Sequence, residues 1–493
     1  MRKTFRIYAV LMLLFATLAA TAQDVAYRRG CRTHQNKTGV PAHFRMPRQA
    51  AEAGEENPLV GDRRQLLVLV SFNDLKFQTE DPISHWTPIF NAEDYREGKF
   101  VGSVHDYFYA QSYGQLNLTF DLVEVQLSED HKKYRSTQKD DDNSKYLVTD
   151  IMDILLQRND IDWSIYDWNG DRYMEQLLIL YAGKGSAYGN FSNDYDAIWP
   201  HQFWLSQHDN YQPITFTYNE QEMTIDSYCC VQELANNEST FGTICHEYSH
   251  CFGLPDFYND ATQYVGSWDL MDAGNYNGSG YCPPSYSAHE RWLMGWLDFT
   301  EINEPTTITD MKANSEEPTA YLLRNSGWDD EYYIIENRQQ TGWDASLPGS
   351  GVVIFHVDYD KDVWMNSYPN SYEKQRYTIF AANNRSQMTY FSYSWPYPYG
   401  SNNQLTDNSA PAATLNNANA NGQKLMSKPI TDIEVTDGLA SFKVMGGATD
   451  IHSIKNVCEE TPQTHSAMTV LYRMGPVSVV RCAGGDVKKV VIP

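Results

Sequence analysis

His246, Glu247 and His250 stand in the order His-Glu-x-x-His within HEYSHCFGLPDFY, residues 246–258. If the stretch is helical, histidines four positions apart share one face and can aim both imidazoles at one metal ion. Glu247 then lies beside the ion without being spent as a ligand. There a carboxylate can take a proton from an attacking water and deliver it to a leaving amine. The pattern alone is short enough to occur by chance on a solvated helix. The residues after His250 narrow the choice. Gly253 offers a residue able to turn with positive φ, and that turn would bring Asp256 back to the same ion. Aspartate is a legitimate zinc ligand, and its charge offsets part of the dication. Glu290, in SAHERWLMGWL (287–297), is the alternative third ligand, completing a His-His-Glu set.

These side chains need a scaffold. The helix that carries them is expected from about Asn237 to Gly253, capped by Ser239 or Thr240 and stopped by Gly253 with Pro255. Upstream, RQLLVLVSF (64–72) fits a buried strand, Val104 to Gln111 a helix, and the alternation in LNLTFDLVEV (116–125) a strand. SKYLVTDIMDILLQ (144–157) has apolar residues at helical spacing, and EQLLILYAG (175–183) is another strand. That strand is a candidate for a sheet edge along which an extended peptide could add by backbone hydrogen bonds, with an internal strand as the equal alternative. After residue 300 the texture turns β-rich, in TAYLLRN, EYYIIENRQ, SGVVIFHVDY and RYTIFAAN, with a polar loop at 400–423.

Bulk composition sets the outer limits. At 493 residues the chain is long enough for more than one domain, and 13% aromatic residues exclude a disordered chain. A formal net charge of −25 argues against nucleic acid or an anionic membrane surface as partner. Arg2, Lys3 and Arg6, an apolar run from Tyr8 to Ala19, and Ala20-Thr21-Ala22 read as an export signal cleaved before Gln23. No other stretch is long and apolar enough to span a bilayer, so no transmembrane anchor is expected. The eight cysteines contain no CxxC pair, which speaks against a zinc knuckle.

Other residues carry weaker signals. Asp167, Asn169 and Asp171 alternate in DWNGDRYME (167–175) and Glu175 closes the stretch, a spacing that suits calcium as well as a capped Asx turn. Cys31 lies upstream of the catalytic region, where a thiolate could occupy an open zinc position and hold the protein latent. Tyr276 is a candidate donor to a developing oxyanion. His201 and His356 have no partner motif and read as structural.

SWDLMDAG (267–274), with Met271 beyond Asp256, resembles the methionine-containing turn that floors the zinc site in metzincin-type proteases. HEYSHCFGLPDFY, GSWDLMDAG and SAHERWLMGWL together resemble the immune inhibitor A family of secreted bacterial metalloproteases, metallopeptidase family six. SVHDYFYAQSYGQLNLTFDLVEV, YDWNGDRYMEQLLILYAGKG, DAIWPH, YYIIENRQQTGWDASLPGSGVVIFHVDY and SKPITDIEV extend the resemblance over roughly residues 63 to 447. It implies that His246, His250 and Asp256 bind Zn2+, that Glu247 is the base, and that proteins and peptides are the substrates. The fold class expected is α+β: a zincin/metzincin-like catalytic domain with a twisted sheet and an active-site helix, then a β-rich half and a small β tail. The expected divisions are a signal peptide (1–22), a prosegment or flexible lead-in (23–62), the catalytic core (63–300), a β-rich part (301–447) and a tail (448–493) that loosely resembles secretion-sorting segments. A secreted, cell-surface-associated or free, monomeric endopeptidase using zinc and, at the 167–175 loop, Ca2+ is the expectation. The alternatives are an inactive adhesin on the same fold and a metal-dependent cell-wall amidase.

Overall fold

The computed structural model describes residues 41–448, less 42–43, 45, 136–142, 187–196, 237, 260–261, 367–368, 371–372 and 387–388. It also describes three antiparallel strands, Thr469–Met474, Val477–Arg481 and Val487–Val491. The export-signal stretch, Cys31, Cys458 and Cys482 lie outside the described residues. Among the described residues no helix is long and apolar enough to cross a membrane.

The first sheet has five strands in the order Leu116–Gln126, Gly61–Ser71, Leu177–Lys184, Ser227–Leu234, His201–Trp204. The first three pairings are parallel and the last is antiparallel. Parallel strands are covered on both faces, so they read as continuous apolar runs. The run LLVLV obeys that rule with a division of labour. Leu67 and Leu69 face the core under the site helix, while Leu66, Val68 and Val70 face the opposite core. The helix Ser144–Leu155 covers that opposite face with Leu147, Val148, Ile151, Met152 and Leu155. The site helix, Phe241–Cys251, covers the first with Ile244, Cys245 and Tyr248.

The pairing decides between the edge and internal readings of one strand. The strand Leu177–Lys184 is flanked by Gly61–Ser71 and Ser227–Leu234, so it is internal and cannot add an extended peptide. The antiparallel edge strand beside the site helix is His201–Trp204, whose own apolar pattern is too short and too interrupted to announce it.

Beyond residue 300 a second five-stranded sheet runs Tyr377–Ile379, Gly351–Asp358, Trp328–Arg338, Tyr321–Asn325, Thr300–Glu301. Its alternating residues separate into two cores. Tyr332, Ile334, Val353, Phe355 and Val357 join the same apolar cluster as the site helix, whereas Tyr333, Ile335, Val352 and Ile354 pack with a three-stranded sheet of Thr306–Met311, Leu439–Val444 and Ile430–Thr436. The core of the site therefore straddles residue 300. The described end of the lead segment, from residue 46, packs on this core as well: Met46 and Leu59 are buried, the Trp296 indole donates to Leu59 O at 2.9 Å, and Asn57 Nδ2 donates to Met294 O at 2.9 Å.

Candidate metal centre

The site helix starts where Ser239 Oγ accepts from Phe241 N at 3.2 Å, and Thr240 Oγ1 donates to Gln232 O at 2.8 Å, which ties the helix to the strand Ser227–Leu234. Gly242 lets a neighbour come close, because a Cβ there would stand 1.9 Å from Asn275 O. The helix ends at Cys251, and Gly253 takes φ +95°, a conformation that favours glycine. A Cβ on Gly253 would meet Met46 Sδ at 2.5 Å and the Phe44 ring at 2.8 Å.

The helical register brings His246, Glu247 and His250 together. One ligand-type atom from each lies within 4.8 Å of the others. The turn at Gly253 brings Asp256 to the same place, with Oδ1 3.2 Å from His246 Nε2 and 3.3 Å from His250 Nε2. Both imidazoles are oriented from behind. His246 Nδ1–H donates to Leu270 O at 2.8 Å, and His250 Nδ1–H donates to Leu254 O at 2.6 Å. Each Nε2 is thereby left as the free nitrogen turned toward Asp256, the tautomer a metal ligand needs.

The electrostatics call for a cation. His246, Glu247, His250 and Asp256 are all buried. Burial pulls the His246 imidazole down, but the Asp256 carboxylate beside it, the charge of Glu247 and the Leu270 carbonyl outweigh it and push it up to about 9. Burial pushes the Asp256 carboxyl up, yet the two imidazoles hold it down at about 2. Close as they are, these groups do not satisfy one another. His250 Nε2 and both carboxylate oxygens of Asp256 are buried without a hydrogen-bond partner. Two imidazole nitrogens and a carboxylate converging with no donors between them fit a divalent metal such as zinc.

The floor is the turn 269–272. Leu270 O holds His246, and the next carbonyl, Met271 O, accepts from Phe257 N at 2.8 Å, one residue past Asp256. Asp272 Oδ2 accepts from the backbone N–H groups of Tyr264, Val265 and Gly266 at 2.8–2.9 Å. Glu290 lies elsewhere. Its Oε2 accepts from Ser287 N at 2.6 Å in a capping box that starts the helix Ala288–Leu293, and it joins no metal-ligand cluster among the described residues.

The other singled-out residues take ordinary positions. Asp167 accepts from the N–H groups of Gly170, Asp171 and Arg172, Asn169 Oδ1 from Asp171 N, Asp171 Oδ1 from Tyr173 N, and Glu175 Oε2 from Trp168 N. These bonds fold the loop as a run of Asx turns. Tyr276 is half-buried on the 3-10 segment Gly274–Gly280. His356 Nε2 bonds Glu331 Oε1 at 2.7 Å, and His201 Nε2 bonds the Tyr228 hydroxyl at 2.9 Å. Residue-type reasoning missed Tyr258, whose ring lies nearly parallel to that of His246 at 6.5 Å, and Asp269, whose carboxylate caps the floor turn. Tyr258 stands inside the metal-ligand motif, which was its one signal; Asp269 had none.

Residues 66–294 match the family profile described as the immune inhibitor A peptidase M6 catalytic domain. Over that stretch the chain is similar to the immune inhibitor A peptidases. Its relatives include the pre-pro-metalloprotease PrtV of Vibrio cholerae, 28% identical over 208 residues, which are 37% of this chain and 22% of that protein. Immune inhibitor A of Bacillus thuringiensis subsp. alesti is 25% identical over 333 residues, covering 55% of this chain and 47% of that protein. The chain thus spans less than half the length of the curated relatives it matches. Among solved structures, wild-type OgpA from Akkermansia muciniphila aligns over 56% of this chain and 71% of that one at 11% identity, with a TM-score of 0.26, which is too slight a likeness to bear on the fold. The family match ends at residue 294, six residues short of where the core crosses into the second sheet at Thr300.

Proposed function

We propose that the chain is a secreted zinc-dependent endopeptidase with a metzincin-like centre, acting on extracellular proteins. The observation that supports this best is the pair of Nε2 atoms, each fixed by a carbonyl behind its ring and converging on an Asp256 carboxylate with no hydrogen-bond partner. His246, His250 and Asp256 would hold the metal. Glu290 is disfavoured as a ligand, because its carboxylate caps a different helix. A zinc ion bound there supplies Lewis-acid chemistry to the scissile carbonyl. Glu247, buried beside the ligands, takes the proton of the attacking water and returns it to the leaving amine nitrogen. The floor turn keeps the His246 imidazole and Asp256 in register through the step, and Leu254 O does the same for His250.

The test joins metal content to casein cleavage. One zinc per chain with cleavage is expected for the wild type. Glu247→Ala should keep the zinc and lose activity by about 10²-fold or more, and Asp256→Ala should lose the zinc. Zinc retained in Asp256→Ala would remove it from the ligand set. A wild-type chain that binds neither zinc nor substrate productively would point to an inert binding protein on this fold.

A further inference from the structure

Beneath the floor turn lie two carboxyl groups that the chemistry at Glu247 does not use. Asp269 and Glu290 are both fully buried and within hydrogen-bonding reach of one another. Asp269 is surrounded by donors. Its Oδ1 accepts from Met271 N at 2.8 Å, and its Oδ2 accepts from the Tyr377 hydroxyl at 3.0 Å. The Tyr377 oxygen lies 2.8 Å from Ser287 Oγ, which in turn accepts from Glu290 N at 3.2 Å. Glu290 Oε2 accepts from Ser287 N, while its Oε1 is buried with no partner of its own if both carboxyls are ionised.

Two adjacent carboxylates out of water cannot both stay charged. The nearby cation, Arg338, is already committed to Glu336 at 3.0 Å and Asp344 at 2.8 Å. A single shared proton resolves the geometry. With Glu290 protonated at Oε1, its O–H donates to Asp269, which then accepts three hydrogen bonds as the carboxylate. Burial pushes the Glu290 carboxyl well up and Asp269 only to about 6, because the Met271, Tyr377 and Glu290 donors hold the latter down. The direction agrees with a proton that resides on Glu290.

We propose that the Asp269–Glu290 acid–carboxylate pair is a positioning device for the metal ligands. The pair fixes Met271 N, and the carbonyls on either side of that amide do the holding. Leu270 O orients His246, and Met271 O secures Phe257, next to Asp256. One proton beneath the floor thereby fixes two ligands above it. The inference rests on the zinc-peptidase reading and extends it to residues that touch neither metal nor substrate.

The experiment measures zinc affinity of the full chain by chelator competition, together with the visible spectrum of its cobalt(II) form. Glu290→Gln keeps a donor toward Asp269 and an acceptor toward Ser287, so it should bind zinc within about 3-fold of wild type and keep the cobalt bands. Glu290→Leu removes the donor, and Asp269→Asn turns a donor toward donors. Each should weaken zinc by about 10- to 100-fold, the range for groups that orient ligands, and shift the cobalt bands. Glu290→Gln as weak as Asp269→Asn would overturn the shared proton. Wild-type affinity and spectrum in both Asp269→Asn and Glu290→Leu would overturn the positioning role. Gln and Asn are isosteric replacements, so their contrast decides even if Glu290→Leu fails to fold. A wild type that binds no zinc would overturn the functional reading and this inference together, whereas zinc in the wild type with unaltered variants overturns this inference alone.

Discussion

At the residue scale, the clustering of His246, Glu247 and His250, the candidate metal site, was legible because side chains three and four apart share a helix face, and the spacing is in the sequence. The residues that hold those ligands were not. Leu270 and Leu254 act through backbone carbonyls, which any residue type supplies, and Asp269 is one acidic residue among many until the fold sets it under Met271. His289 makes the same point for stability. It is buried among the rings of Trp292, Tyr359, Trp364 and Tyr377, neither ring nitrogen has a hydrogen-bond partner, and burial pushes its imidazole down to about 3. An unfolded imidazole titrates near 6.5. Between those values the unfolded chain binds a proton that the folded chain refuses. The stability contributed by the neutral ring is full above pH 6.5 and is lost as pH falls toward 3. His289→Phe fits the aromatic surroundings and removes this liability. Unfolding by urea at pH 7 and pH 5 should therefore show the wild type losing about 2 kcal/mol more than His289→Phe over that interval; equal losses would mean that His289 titrates freely in the folded protein.

At the element scale, the strands and the site helix followed from apolar runs and caps, but their order in the sheet did not. An apolar run such as LLILY specifies burial on two faces, and it took the pairing with Gly61–Ser71 and Ser227–Leu234 to make that strand internal. Close approaches were equally hidden. Gly242 sits unremarkably inside a helix, yet its missing Cβ is what admits Asn275 O. Gly242→Ala should lower stability by about 2 kcal/mol or more through overpacking against backbone, measured as a fall in the urea midpoint; an unchanged midpoint would mean that the segment 274–280 yields freely. The lead segment belongs to this scale too. Its polar composition hid Met46 and Leu59 as core residues, because composition averages over such isolated anchors. A chain beginning at residue 63 should unfold at markedly lower urea than the full chain, because the buried side chains of Met46, Ala50 and Leu59 and the contacts to Met294 and Trp296 are gone; an unchanged midpoint would mean that these anchors add nothing to the core.

At the scale of the whole molecule, the texture change at residue 300 was visible in the sequence, but its meaning was not, since a change from mixed to β-rich structure can mark either a boundary or a second layer on one core. In this chain the second sheet contributes to the cluster that contains the site helix. Arg338 is the polar counterpart of that shared core. Fully buried, it donates to both Asp344 oxygens at 2.8–2.9 Å, to Glu336 at 3.0 Å and to Ser285 O at 3.0 Å. Arg338→Met would leave Glu336 and Asp344 without their cation and should cost about 3–5 kcal/mol. Zinc affinity should fall with it, although residue 338 lies outside the matched catalytic segment; a variant with normal affinity and stability would make the two halves independent. The packing of Phe44 and Met46 against Gly253 also has a consequence in time. A ribosome delivers the lead segment first, the histidine helix midway and the Glu336–Asp344 buttress later still. The ligands exist as sequence well before the far end of the chain arrives to brace them. The helix that carries His246 and His250 thus gains its second layer only after residue 344 has been made.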